Sequence, residues 1–393
     1  MLVDLVAIQF GILLLVAVLT PLSALQPDPF NYFVQGGRVL SGQVPYRDFP
    51  MEYPALALLP MVLPHVWPGT MAMDQYEWTF LFQNAVFSSA IAVSVAWLAS
   101  RGWASGSPQR VLVTYAMLVL AVGPILAWRY DVFAALLSIL AVVATARGRP
   151  AVAGVALGLG FTAKVYPAVL LPILALRYLV GSEYRPALRL ISGFALAIGL
   201  VLLPVALLAG SGVFSFVDYQ QTRGLQIESV LSGLVLLGHV VTGGAVNVYF
   251  GFGSFQISSP LADTFLARQP LLMGSLFAML IAACFVSFRR EHRTHGGVRL
   301  ETLISYLTAA ILLAIATNKV FSPQYVVWIL PFAALLPRRQ ALVVAAICAI
   351  TVFIYPLNYT PLVKLDPGMI AILNVRNLLV VALLVWLVDR RQI

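Results

Sequence analysis

The sequence predicts an all-α polytopic membrane protein, one integral domain over residues 1–393, and three observations carry that reading. Mean hydropathy is +0.93. Of the 393 residues, 61% are hydrophobic and only 10% charged, too little polar surface to cover a soluble globule. Apolar windows recur at the roughly 17–25 residues that cross about 30 Å of hydrocarbon as a helix.

Taken in order, spans are expected near 4–25, 77–99, 111–128, 131–146, 188–209, 270–288, 301–317, 321–337, 340–356 and 369–388. A further pair, 151–163 and 167–180, is split by Lys164, Tyr166 and Pro167, and reads as a helical hairpin or two broken helices. That makes about 12 hydrophobic helices. The first run follows Asp4 and lacks a basic leader and a small-x-small cleavage pattern, so a retained span is expected rather than a cleaved signal. Cys284 and Cys348 lie in apolar runs without metal-ligand spacing and read as small core residues.

Sidedness follows from Lys and Arg. With a cytoplasmic N-terminus, alternate loops and the C-terminus hold Arg101, Arg110, Arg147, Arg149, Arg177, Arg185, Arg189, Arg289, Arg290, Arg293, Arg299, Arg338, Arg339, Arg390 and Arg391, fifteen of the 24 basic residues. Both termini are thus expected inside a cell (inner or plasma) membrane. The net charge of +9 becomes topology beside anionic lipid headgroups, and nucleic acid is excluded as a partner because no soluble basic domain could hold it. The nine remaining basic residues, Arg38, Arg47, Arg129, Lys164, Arg223, Arg268, Lys319, Lys364 and Arg376, meet ten of the fifteen acids on the outer side. That face is mixed in sign and nearly neutral, which suits a binding site.

Two outer loops are long, 26–76 and 211–269, and together are expected to form the active-site face. The first contains "YPALALLPMVLPHVWP", broken by Pro54, Pro60, Pro64 and Pro68, which fits a helix lying in the interface. The second holds the polar "FVDYQQTRGLQIESV", a short apolar part near Leu231–Val241, and "NVYFGFGSFQISSP", an expected strand or turn.

In the first loop, "DPFNYFVQGGRVLSGQVPYRDFPMEYP" (Asp28–Pro54) resembles the first outer loop of the GT87 (DUF2029) family of polyprenyl-phosphate-mannose-dependent mannosyltransferases. That family has an Asp four residues before a Tyr, then Gly, Pro-Tyr-x-Asp-Phe and Glu-Tyr-Pro-Pro. "RYDVFAALL" (Arg129–Leu137), "FTAKVYPAVLLP" (Phe161–Pro172), "TRGLQIESV" (Thr222–Val230) and "NKVFSPQYVVWILP" (Asn318–Pro331) are similar in the same order. Ala55 stands where the family has a second proline. The resemblance implies a GT-C glycosyltransferase fold. It also implies transfer with inversion of a sugar, most often mannose, from a polyprenyl-phosphate donor to a glycolipid or cell-envelope glycan on the outer face.

The chemistry asks for an outer carboxylate as general base and cations for one phosphate. Asp28 matches the catalytic carboxylate of the family, with Tyr32 one helical turn on; the alternative is a turn Asp between prolines. Asp48 is the second candidate, against an ion pair with Arg47 or Arg129, and Glu52 a sugar contact or a brace for the interfacial helix. Lys164, interrupting an apolar helix, is the leading phosphate ligand, against a snorkelling lysine beside Tyr166. Arg129 and Asp131 are substrate contacts or a salt bridge. Lys319 joins Lys164 and Arg223 as a candidate phosphate ligand, near Ser322, Gln324 and Tyr325, where Pro323 permits a break. Gln226 and Glu228 read as sugar contacts, against a solvated loop surface. His65 sits where substrate could reach it. No outer Asp-x-Asp pair suggests a metal, and no cofactor is expected. Competing classes are a transporter or lipid-linked-sugar flippase, and an enzyme using a diphosphate-linked donor, which should need more outer arginines.

Overall fold

A computed structural model of the chain describes residues 2–19, 28–66 and 72–389. The first expected span beyond residue 19, Gln26, Pro27 and Pro68 of the first loop, and Arg390 and Arg391 lie outside the described residues.

The described residues are mainly helical: α1 (Leu2–Leu19), α2 (Asp28–Leu40), α3 (Leu58–Val62), α4 (Met73–Ser100), α5 (Pro108–Leu126), α6 (Asp131–Ala146), α7 (Pro150–Ala163), α8 (Leu171–Val180), α9 (Tyr184–Ala209), α10 (Ser215–Thr222), α11 (Val230–Thr242), α12 (Pro260–His295), α13 (Leu300–Thr317), α14 (Leu330–Ala333), α15 (Arg338–Val352), α16 (Tyr359–Val363) and α17 (Pro367–Val388). Seven helical stretches among them are long and apolar enough to cross a membrane. In α13, 89% of the most apolar window is buried, against 17% in α12 and in the stretch opening with α9, so α13 is the axis and the other two are peripheral. Leu207 and Leu271 are 78% and 75% exposed on those two helices, as side chains facing acyl chains would be.

Two departures from the expected architecture have local causes. The expected span 321–337 is a 3₁₀ stretch, Pro323–Ile329, followed by the four residues of α14, because Pro323, Pro331 and Pro337 each remove a donor. The chain is also not purely helical. β1 (Leu225–Gln226), β2 (Asn247–Gly251) and β3 (Ser254–Ser258) form an antiparallel sheet in the order β1-β3-β2, with Gly251 paired to Ser254 across a tight turn. The hairpin was legible in "NVYFGFGSFQ"; β1, two residues long, was not.

Packing follows small residues and paired polar groups. Between α7 and α9, a Cβ on Gly154 or Gly158 would strike the backbone of Leu190 or Phe194, and one on Gly193 the carbonyl of Ala151. Glycine is what lets these helices touch backbone to backbone. Where α1, α4 and α5 meet, Ser88 donates to Gln9 Oε1 at 2.9 Å and bonds the Tyr115 hydroxyl at 3.1 Å, so buried polar groups keep partners.

The bundle has two chemically distinct ends. At one, Arg101 and Arg147 lie over the Trp97 ring, Arg110 donates to the Leu336 carbonyl, and the Ser105 hydroxyl donates to Glu301. The short basic loops therefore gather together. The start of α2, the α5–α6 turn, Lys164 and the sheet occupy the other end.

Candidate active site

The site begins where α5 stops. Pro124 lies inside its last turn, and Asn84 of α4 directs its amide at the carbonyls of Leu126, Ala127 and Arg129, at 3.2, 3.0 and 3.1 Å. Those carbonyls would otherwise be orphaned at a helix end. The side chain that satisfies them also fixes the turn presenting Arg129, Tyr130 and Asp131.

From this turn two buried ion pairs form. Arg129 binds Asp28, in the first turn of α2, with side-chain exposures of 7% and 16%, and the positive end of α2 adds to the attraction. Burial pushes the Asp28 carboxyl above its ordinary value, Arg129 opposing the rise and Glu52 reinforcing it. Asp131, fully buried, binds Lys164 with Nζ 3.2 Å from both carboxylate oxygens. Trp328 Nε1 donates to the same carboxylate at 2.7 Å. Lys164 leaves the helix at the end of α7, its φ of −155° extended, and sits where the negative end of a helix favours a cation. Its ammonium lies 4.8 Å from the ring centre of Tyr53 and 4.6 Å from that of Tyr130.

Aromatic rings wall the cluster. Tyr130 meets Tyr32 and Tyr53 edge-on at 5.5 and 5.2 Å, and Trp328 is sandwiched between Tyr166 at 4.2 Å and Tyr325 at 3.9 Å. Tyr166 is braced by the Ser138 hydroxyl at 3.0 Å. The Tyr32 hydroxyl is buried without a hydrogen-bond partner among the described residues, and burial, then Asp28, holds its proton on.

The second long loop, 211–269, packs against the first. Gln220 reaches the Glu52 carbonyl at 3.4 Å. Arg223 bonds the Ser254 hydroxyl at 2.9 Å and lies over Tyr219, while Lys319 donates to the Gln221 carbonyl at 2.7 Å. Burial and then Arg223 lower the Lys319 pKa, so two cations stand close together beside the loop. Deeper, Gln226 donates to Glu228 Oε2 at 3.4 Å, and the fully buried Arg376 of α17 donates to the Glu228 carbonyl at 2.6 Å beneath the face of Phe321. Burial pushes Glu228 up to about 7, with Arg376, Tyr359 and Arg129 opposing.

Most residues singled out in the sequence are thus brought together, but some sit apart. Asp48 is held by Arg47 at 2.8 Å and accepts from the Val44 amide at 2.7 Å, which together lower its carboxyl to about 2. His65 packs between Phe33 and Tyr76 and bonds the Phe33 carbonyl at 3.0 Å; it supports α2. The Ser322 carbonyl closes the turn to the Tyr325 amide at 2.9 Å, and Gln324 is buried with Oε1 unpartnered among the described residues. Tyr53, Tyr130, Trp328, Asn84 and Arg376 were missed. An arginine within the apolar run 369–388 was the readable signal for the last, and Tyr130 lay between two chosen residues. Among the described residues no group of acidic, His or Cys side chains could hold a metal ion.

What the fold and the site define is a helical membrane protein with a buried, aromatic-walled cluster of two ion pairs at one end of its bundle. No family model matches the chain and no curated protein matches it. Among solved structures it is similar to the apo oligosaccharyltransferase of Archaeoglobus fulgidus, with a TM-score of 0.47 and 12% identity over 96% of this chain and 56% of that one. The chain therefore spans little more than half the length of that protein, and at this score the likeness carries no argument.

Proposed function

We propose that the protein is a GT-C type inverting glycosyltransferase of the GT87 kind. It moves a sugar, mannose by the resemblance, from a polyprenyl-phosphate donor to a glycolipid or envelope glycan at the outer face. The observation that carries the reading is the Asp28–Arg129 and Asp131–Lys164 cluster. It joins segments distant in sequence, each belonging to one of the resemblance fragments.

Asp28 is the base. It retains exposure, and a carboxyl raised by burial is better matched to taking a hydroxyl proton than one held near 2, as Asp48 is. The acceptor oxygen attacks the anomeric carbon from the face opposite the phosphate and gives its proton to Asp28. The bond from that carbon to the phosphate oxygen breaks, and its electron pair leaves on the polyprenyl phosphate. Lys164, Arg223 and Lys319 bind that developing charge. Arg129 keeps Asp28 ionised and oriented, and Asp131 with Trp328 fixes Lys164. Tyr32, Glu52, Tyr166, Gln226, Glu228, Ser322, Gln324 and Tyr325 supply walls and hydrogen bonds for sugar.

The test is to incubate the purified protein in liposomes with radiolabelled polyprenyl-phosphate-mannose and an acceptor glycolipid. Labelled product is expected. Labelled donor carried between leaflets without product would overturn this reading in favour of a flippase.

A further inference from the structure

The segment "RREHRTHGGVR" (Arg289–Arg299) plays no part in the chemistry above. Its Arg290 lies 21 residues along α12 beyond Gln269, which bonds the Thr317 carbonyl at 2.9 Å near the site. At 1.5 Å per residue that is roughly 32 Å, the thickness of a hydrocarbon layer. The segment therefore faces the opposite interface.

A cavity of about 740 Å³ opens there between α12, α13 and the end of α17, lined by Val286, Arg290, Thr294, Arg299, Tyr306 and Val388 among others. A neighbouring cavity of about 420 Å³ shares Arg290 and adds Arg289 and Arg293. The cavity floor is built. Glu291, 6% exposed, accepts from the Arg299 amide at 2.9 Å, from Arg299 Nε at 3.1 Å and from the Thr302 hydroxyl at 2.5 Å. One arginine is thereby neutralised and fixed, while Arg289, Arg290 and Arg293 stand exposed without an ion pair among the described residues. Below them the wall turns apolar, with Ala282, Ala283 and Val286 along α12. Val286 is 65% exposed, as is Met279 two turns nearer the membrane centre.

We infer that these two adjoining cavities, which share Val286, Arg290 and Thr294, form a binding site for an anionic phospholipid. Its phosphate is held by Arg290 and Arg293, and an acyl chain lies along Val286 and Met279. A dissolved anion would use the arginines but not the apolar wall, and a diffuse basic rim would need no fixed floor.

The test is native mass spectrometry of the full chain in detergent, titrated with phosphatidylglycerol and, separately, phosphatidylcholine. Phosphatidylglycerol is expected to bind preferentially. The R290Q/R293Q protein should bind it about 25-fold more weakly, at about fivefold for each charge, while R338Q/R339Q, at exposed positions in the first turn of α15, keeps wild-type affinity. Equal losses in the two variants, no preference over phosphatidylcholine, or full displacement by glycerol 3-phosphate would each overturn the site. An unchanged unfolding midpoint in R290Q/R293Q separates lost binding from lost fold.

Discussion

Replacing Asp131 by Asn removes one charge from the Asp131–Lys164 pair and leaves the shape nearly unchanged. With Nζ 3.2 Å from each oxygen, the attraction at an effective dielectric constant of about 20 is roughly 5 kcal/mol. The Lys164 ammonium, 9% exposed, would keep only the faces of Tyr53 and Tyr130, worth about 2 kcal/mol at most. The Asn oxygen can still accept from Trp328. Asp131→Asn should therefore cost about 3–5 kcal/mol, the range for unpairing a buried charge. Lys164→Met should cost a similar amount, and the double variant clearly less than the sum, by about 2 kcal/mol or more. The assay is unfolding in mixed detergent micelles for the three variants, with sugar transfer measured alongside. The double variant should recover stability without recovering transfer, because Lys164 is also asked to bind phosphate. A coupling below about 0.5 kcal/mol would refute the reasoning, since the two charges would then not depend on each other.

Other outcomes follow from the same geometry. Burial favours neutral Glu228, so its contribution to stability is fully present below the ordinary 4.5 and lost as pH rises through about 7, a change of about 3 kcal/mol. Unfolding measured from pH 5 to 8 should show this decline, and Glu228→Gln should flatten it. Gly193→Val drives side-chain atoms into the Ala151 carbonyl and should destabilise the fold by about 1–3 kcal/mol or more, whereas Gly199→Val, with open space around it, should not; thermal unfolding in detergent distinguishes them. Because Asp28 is raised above its ordinary 3.8 and acts ionised, transfer should fall on acidification with a midpoint above that value. A pH–rate profile with no acid limb above pH 4 would count against it.

The helical, apolar character was legible because a helix in lipid leaves a long apolar signature, and the break at Lys164 was legible because a lysine and a proline interrupt one; the number of spans was not, since seven helical stretches among the described residues are long and apolar enough to cross, against about 12 expected. The span expected at 321–337 misled because its composition is mostly apolar, and composition does not register what three prolines do to backbone donors. The members of the buried cluster were readable where charges stand out against an oily background, as with Asp28, Arg129, Asp131 and Lys164. Their pairing was not, since Asp131 could equally have met Arg129, its neighbour but one, as a local bridge. Trp328 and Tyr53 were hidden for the opposite reason: aromatic residues abound here, and only the fold shows which of them face a charge. Asp48 and His65 stood out by type, yet each is absorbed by local structure, the one by Arg47 and a turn amide, the other by Phe33 and Tyr76.

The central claim is that Asp28 takes the acceptor proton in sugar transfer from a polyprenyl-phosphate donor. The most direct measurement is the single-turnover rate of mannose transfer by Asp28→Asn, with its unfolding midpoint measured to show that it remains folded. The account predicts a fall of about 10²–10⁴-fold that added acceptor does not restore. A folded Asp28→Asn protein transferring at the wild-type rate would contradict it.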